Sequence, residues 1–145
     1  MTRINRYKVV PYTSAEMYQL VNDIQAYPEF LPWCQSTNII KSGSHELMAD
    51  ISMSIGRLSQ SFTTENSMQP DQSISMRLVK GPFKKLSGQW QFTEQSDISC
   101  EVALDMEFEF KNRLIKHAMG KAFNRILDTL VDAFSQRAVE VYGER

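Results

Sequence analysis

The stretch ISCEVALDMEFEFKNRLIKHAMGKAFNRILDTLVDAFSQRAVEVY, residues 98–142, changes its hydrophobic period once, and that change decides the architecture. Up to Phe110 the period is two. Cys100, Val102, Leu104, Met106, Phe108 and Phe110 share one side, while Glu101, Asp105, Glu107 and Glu109 share the other. Such alternation marks a half-buried antiparallel strand with one wet face. From Arg113 onward the apolar residues step by three and four: Ile115, Met119, Ala122, Phe123, Ile126, Leu130, Phe134 and Val141. That spacing draws the face of a helix. No proline interrupts it before Tyr142, so the helix spans about thirty residues, roughly 45 Å at 1.5 Å each.

Working back from this segment, the period of two persists to Cys34. Leu47, Ala49, Ile51, Met53 and Ile55 share a parity, and a turn at Gly56 leads to Leu58, Phe62 and Met68. Ile74, Met76 and Leu78 form the next strand, ended by Lys80-Gly81-Pro82, and Leu86, Gly88, Trp90 and Phe92 the one after. Near the N-terminus, Ile4 to Val10 reads as a strand stopped by Pro11. Thr13 and Glu16 then have the spacing of a capping box, with Tyr12 and Met17 placed for a hydrophobic staple. The helix they start puts Met17, Leu20, Val21 and Ile24 on one face. In YPEFLPWC, residues 27–34, Pro28 opens a short second helical turn and Pro32 closes it.

The expected fold class is therefore α+β, a single domain over residues 1–145. A curved antiparallel sheet of six or seven strands wraps around the long C-terminal helix, with two short helices after the first strand. The sheet's one apolar face must be covered, and only the last helix is long enough to do so. A curved sheet around a straight helix fills its middle poorly, which favours a cavity. Its expected lining is Phe30, Leu31, Trp33, Met53, Phe62, Met76, Trp90, Met106, Phe108, Met119, Phe123 and Ile126. Eight methionines suit an irregular apolar wall, because thioethers adapt their shape. Gln60, Thr64 and Asn66 have the parity to orient a ligand headgroup, or to lie near an open strand end.

Composition excludes several function classes. The formal net charge is −1, so there is no global pull toward DNA, and binding to a polyanion needs a local patch. The N-terminus lacks the apolar run of a secretory signal, and no stretch has the length to span a bilayer. Cys34 and Cys100 are the only cysteines, and free buried thiols are expected rather than a disulfide. The expected location is the cytoplasm, with peripheral contact at the inner face of the membrane as a further option. His45 and His117 have no metal-binding spacing, and neither cysteine has a CxxC partner. The acidic residues 101–109 lie opposite the apolar face, so they read as a solvated sheet surface, and no catalytic set emerges.

The charges of the last helix run against its dipole. Arg113, Lys116, Lys121 and Arg125 crowd the N-terminal half, where a macrodipole favours acids by about 0.3–1 kcal/mol each. Lys80, Lys84 and Lys85 flank the Gly81-Pro82-Phe83 turn and join them if that turn lies near the helix start. Such a patch fits rRNA phosphates, anionic headgroups or an acidic protein.

YPEFLPWC (27–34), KGPFKKLSGQWQF (80–92), the long C-terminal helix and the element order together resemble the RatA / coenzyme Q-binding family of the START-like, polyketide cyclase-like superfamily. The resemblance implies a helix-grip fold with a hydrophobic tunnel and no required cofactor. It implies two roles: holding ubiquinone or another isoprenoid lipid in support of respiration, and binding the large ribosomal subunit so as to block subunit association. It carries no catalytic residues over to this chain. In that fold YPEFLPWC sits at the cavity rim, where Phe30, Leu31 and Trp33 act either as a plug under the sheet or as a gate against a ligand.

Overall fold

The computed structural model describes residues 1–55 and 58–145, so the turn expected at Gly56 lies outside the described residues. The elements follow in the order β1 (Thr2–Val10), α1 (Ser14–Asn22), a 3-10 turn (Ile24–Ala26), α2 (Tyr27–Phe30), β2 (Cys34–Ser42), β3 (Glu46–Ile55), β4 (Leu58–Gln69), β5 (Ser73–Lys80), β6 (Phe83–Ser96), β7 (Ser99–Phe110) and α3 (Arg113–Tyr142). The seven strands make one antiparallel sheet, ordered β1-β7-β6-β5-β4-β3-β2. Hairpins join β2 through β7 in sequence, and β1 returns to pair with β7, setting Ile4 opposite Met106 and Val10 opposite Cys100.

Local chemistry explains where elements begin. The Thr13 hydroxyl accepts from the Glu16 amide at 3.2 Å, and the Glu16 carboxylate accepts from the Thr13 amide at 3.0 Å, which completes the capping box. Tyr12 and Met17, the two staple positions, are fully buried. Pro28 sits in the first turn of α2, and the chain leaves that helix at Leu31 in an extended conformation before Pro32. The Asn112 side chain caps α3 by accepting from Ile115 N at 2.9 Å. In the turn before β6, Gly81 has φ +155, and a Cβ there would stand 2.6 Å from Phe62 Cβ, so only glycine fits.

β7 buries every second residue from Cys100 to Phe110, as its alternation demands. Three of its four outer carboxylates are met by cations: Arg3 to Asp105 at 2.8 Å, Lys85 to Glu107 at 3.6 Å and Lys84 to Glu109 at 4.0 Å. Two residues expected to face inward do not. Leu58 and Val141 are 36% and 48% exposed, because Leu58 starts β4 and Val141 lies in the last turn of α3, beyond the buried stripe. That stripe runs through Met119, Phe123, Leu127, Val131, Phe134 and Ala138, while Ile115, Ala122, Ile126 and Leu130 lie half-buried beside it.

The helix approaches the sheet backbone closely at β1, β7 and β3. In strand order these are two strands at one edge and one near the other. The sheet thus holds α3 from both sides, and the middle strands reach it through long side chains. Trp90 meets Phe134 edge-on with centroids 5.3 Å apart, and Phe83 packs on Phe123 at 5.0 Å. The expected helix-grip architecture is present, and the space it leaves lies between α3 and the central strands.

Candidate functional site

That space is a mostly apolar interior cavity with about 80 Å³ of free volume. Trp33, Phe62, Met76, Trp90, Met106, Phe123 and Ile126 line it, seven of the residues assigned to its wall from sequence. Phe30, Leu31, Met53, Phe108 and Met119 lie elsewhere in the packing. Phe30 stacks edge-on against Phe134 at 5.3 Å with the Arg137 guanidinium 4.9 Å from its ring, and Phe108 and Met119 are buried core. Leu31 and Met53 are each 1% exposed and take no part in the wall. The wall also includes Ile24, Tyr27, Ile51, Leu86, Leu104, Leu127, Leu130, Phe134 and Arg77. Leu127 was legible, standing four residues after Phe123. Tyr27 was not, because its inward direction depends on its hydroxyl donating to Val21 O.

Two polar residues of β4 enter this apolar wall, Thr64 and Asn66, each 4% exposed. The Asn66 Oδ1 has no hydrogen-bond partner. An unmet amide oxygen in such a place costs about 1–3 kcal/mol. Gln60, the third candidate for a headgroup, pairs with Met53 across the hairpin and takes no part in the wall.

Trp33 has a double position. With Ile126 it lines the cavity, and the same two residues line an open surface groove of about 440 Å³ shared with Pro32, Ser54, Ile55, Ala122, Arg125 and Thr129. Trp33 therefore lies between the interior and the open groove, whereas Leu31 is buried away from both.

The basic residues divide. Lys84, Arg113 and Lys116, together with Lys111, surround a depression of about 310 Å³ at the start of α3, with Glu109 among them. Lys85 is held on the outer sheet face by Glu107, Arg125 borders the Trp33 groove, and Lys80 and Lys121 are exposed away from both. A register slip between Phe83 and Lys85 brings both Lys84 and Lys85 over β7 carboxylates, which the alternating pattern could not reveal.

Nucleophilic chemistry has little footing. Burial pushes the Cys34 and Cys100 thiols up to about 11, and both are free. Among the described residues no group of three or more His, Cys, Asp or Glu could hold a metal ion, and no helix is long and apolar enough to cross a membrane.

With a sheet gripping one long helix over an apolar cavity, the family can be placed, and the model for polyketide cyclase / dehydrase and lipid transport proteins matches residues 10–135. The chain belongs to this family, on its RatA branch. It is 45% identical over 145 residues to the ribosome association toxin RatA of Escherichia coli, covering 100% of this chain and 92% of that protein. A more distant relative, the mitochondrial coenzyme Q-binding protein COQ10 homolog B of Xenopus laevis, is 25% identical over 142 residues, which cover 95% of this chain and 58% of the relative. The crystal structure of the Zhui aromatase/cyclase from a Streptomyces species superposes with TM-score 0.79 over 99% of both chains at 13% identity, a likeness of fold. This RatA-branch member thus shares its scaffold with cyclases, while its relatives are named for association and binding.

Proposed function

We propose that the protein is a non-enzymatic, ribosome-associated regulator of the RatA kind, which docks on the large ribosomal subunit and opposes subunit joining. The full-length 45% identity to a ribosome association toxin carries the reading. In its support, Lys84, Lys111, Arg113 and Lys116 gather around one depression at the end of the molecule where α3 begins. Phosphate contacts of this kind make binding steeply salt-dependent. The test is co-sedimentation with purified large subunits over a salt series. Wild-type protein pellets at low salt and is released as salt rises. Joint Lys84→Glu, Lys111→Glu, Arg113→Glu and Lys116→Glu reversal abolishes pelleting while a Lys85→Glu control retains it. Undiminished pelleting of the fourfold variant would overturn the docking surface.

A second reading, favoured by the apolar cavity, is an isoprenoid ligand such as ubiquinone between sheet and helix. Its difficulty is size. About 80 Å³ of free space is small against the roughly 300–1,000 Å³ of sites for drug-sized ligands. Lipid extraction and denaturing mass spectrometry of gently purified protein check it, and repeated absence of quinone argues against it.

A further inference from the structure

We propose that the cavity is a site for an amphiphile with a hydroxyl-bearing head, held by Asn66 and admitted past Trp33, which acts as the door. The proposal rests on the reading of the cavity as a ligand site and is independent of ribosome docking.

The head chemistry follows from what is unmet. Asn66 is 4% exposed, lines the cavity, and its Oδ1 lacks a partner. An unmet acceptor in an apolar wall is answered by a donor. A phenol, a quinol or an alcohol supplies one, whereas a quinone, an ether or a hydrocarbon does not. The apolar remainder of the wall sets the rest of the ligand. Met76 and Met106 flank the same space, and their flexible thioethers can yield to a ring without breaking backbone contacts.

The door follows from what is shared. Trp33 and Ile126 belong to both the cavity and the groove, so the indole is the partition between them. Ile126 is fixed within the 30-residue α3, while Trp33 sits in the short connection between the one-turn helix α2 and the strand β2. The Trp33 carbonyl is tied, accepting from Ser54 N at 2.9 Å, so the side chain rather than the backbone is free to turn. Turning it outward joins about 80 Å³ of interior to the open surface groove of about 440 Å³, so a tail too long for the small cavity has a path out along the surface. The head then lies at Asn66 and the tail leaves past Trp33.

Both tryptophans of the chain, Trp33 and Trp90, line the cavity, so their fluorescence reports its occupancy. The probes are 4-hexylphenol and 4-hexylanisole, in which a methyl group replaces the hydroxyl hydrogen. Saturable quenching by the phenol is expected, with affinity at least about tenfold above the anisole, the size of one buried hydrogen bond. In Asn66→Leu that preference falls to roughly twofold or less while the anisole still binds, since only the polar contact is gone. In Trp33→Ala, read through Trp90, the association rate of the phenol rises about tenfold or more as the door is removed. No saturable binding of either probe, or a phenol preference that persists in Asn66→Leu, overturns the head assignment. An unchanged association rate in Trp33→Ala overturns the door. Should Asn66→Leu misfold, Asn66→Ala gives the same comparison, in which loss of the phenol preference supports the head assignment and its persistence overturns it, whether or not quinone is recovered from cells.

Discussion

Replacing Glu16 by Gln should loosen the far end of α3 and do so in a pH-dependent way. Glu16 sits in the first turn of α1, and the Arg145 guanidinium grips its carboxylate with two bonds of 2.7 and 2.8 Å. Those bonds, followed by the one from the Thr13 amide, hold the carboxyl down to about 2 from an ordinary 4.5. At about 1.4 kcal/mol per unit the shift is worth roughly 3 kcal/mol as an upper bound. Arg145 is well exposed, so solvent screening reduces the working figure to about 1–2 kcal/mol. Gln keeps an oxygen for the Thr13 amide, and the neighbouring links, Tyr142 Oη to Glu16 O at 2.9 Å and Tyr12 Oη to Gly143 O at 2.6 Å, are untouched. The substitution therefore isolates the ion pair. For a chain of this size the loss lowers Tm by roughly 3–7 °C near neutral pH.

The folded-state pKa lies below the unfolded one. The stabilisation is thus full above about pH 4.5 and disappears as pH falls toward 2. Thermal unfolding followed by circular dichroism, for wild type and Glu16→Gln from neutral to acidic pH, should show two Tm values that converge on acidification. A gap of constant size down to about pH 2.5, or no gap near neutral pH, would refute the clasp as the source of stability.

Gly88→Ala should destabilise by about 1–3 kcal/mol, because a Cβ there would meet Met106 Sδ at 2.0 Å and Asp105 O at 2.6 Å. A double-mutant cycle with Met106→Ala should give about 1 kcal/mol or more of favourable coupling in chemical denaturation, and strict additivity would contradict the steric account. Native protein at neutral pH should resist iodoacetamide at both Cys34 and Cys100, with both labelled after unfolding, since each thiol is buried and raised to about 11. Rapid labelling of the folded protein, seen by mass spectrometry, would contradict that burial.

Signals that depend on near neighbours were legible in the sequence. The Thr13–Glu16 capping box, the alternation of β7 and the uninterrupted stripe of α3 each act within a few residues, and each forms as expected. The pairing of β1 with β7 needed topology, but the order of elements under one apolar face leaves few alternatives. What escaped reading depends on events across the fold. Phe108 and Met119 have inward parity, yet parity does not separate a residue in a packed cluster from one facing free space. Phe108 fills against Phe123 with centroids 4.9 Å apart, leaving no gap there. The basic residues do not all gather in one place for a different reason, since the irregular register after Phe83 sets Lys85 beside Glu107 on the outer sheet face.

Two features that cost stability lie at the two places where a partner is proposed. Arg113 and Lys116 stand at the positive end of α3, each unfavourable there by about 0.3–1 kcal/mol, where the Asn112 side chain caps the Ile115 amide. Asn66 keeps an amide oxygen without a partner among Phe62, Trp90 and Met106, at a cost of about 1–3 kcal/mol, although Leu would fill the same wall. Elsewhere many local and global preferences agree, with the capping box of α1 formed, Asp105 met by Arg3 and β7 alternating throughout, although Ser14 Oγ, Asn22 Oδ1 and Asn124 Oδ1 are also buried without a partner. Departures from that agreement are where a sequence serves something besides folding. An anionic surface at the start of α3 would reverse the sign of the first cost, and a hydroxyl at Asn66 would remove the second. Phe123, Ile126 and Leu127 of the cavity wall and Arg113 and Lys116 of the basic end belong to one continuous helix, so the two costs are carried by elements that meet at α3.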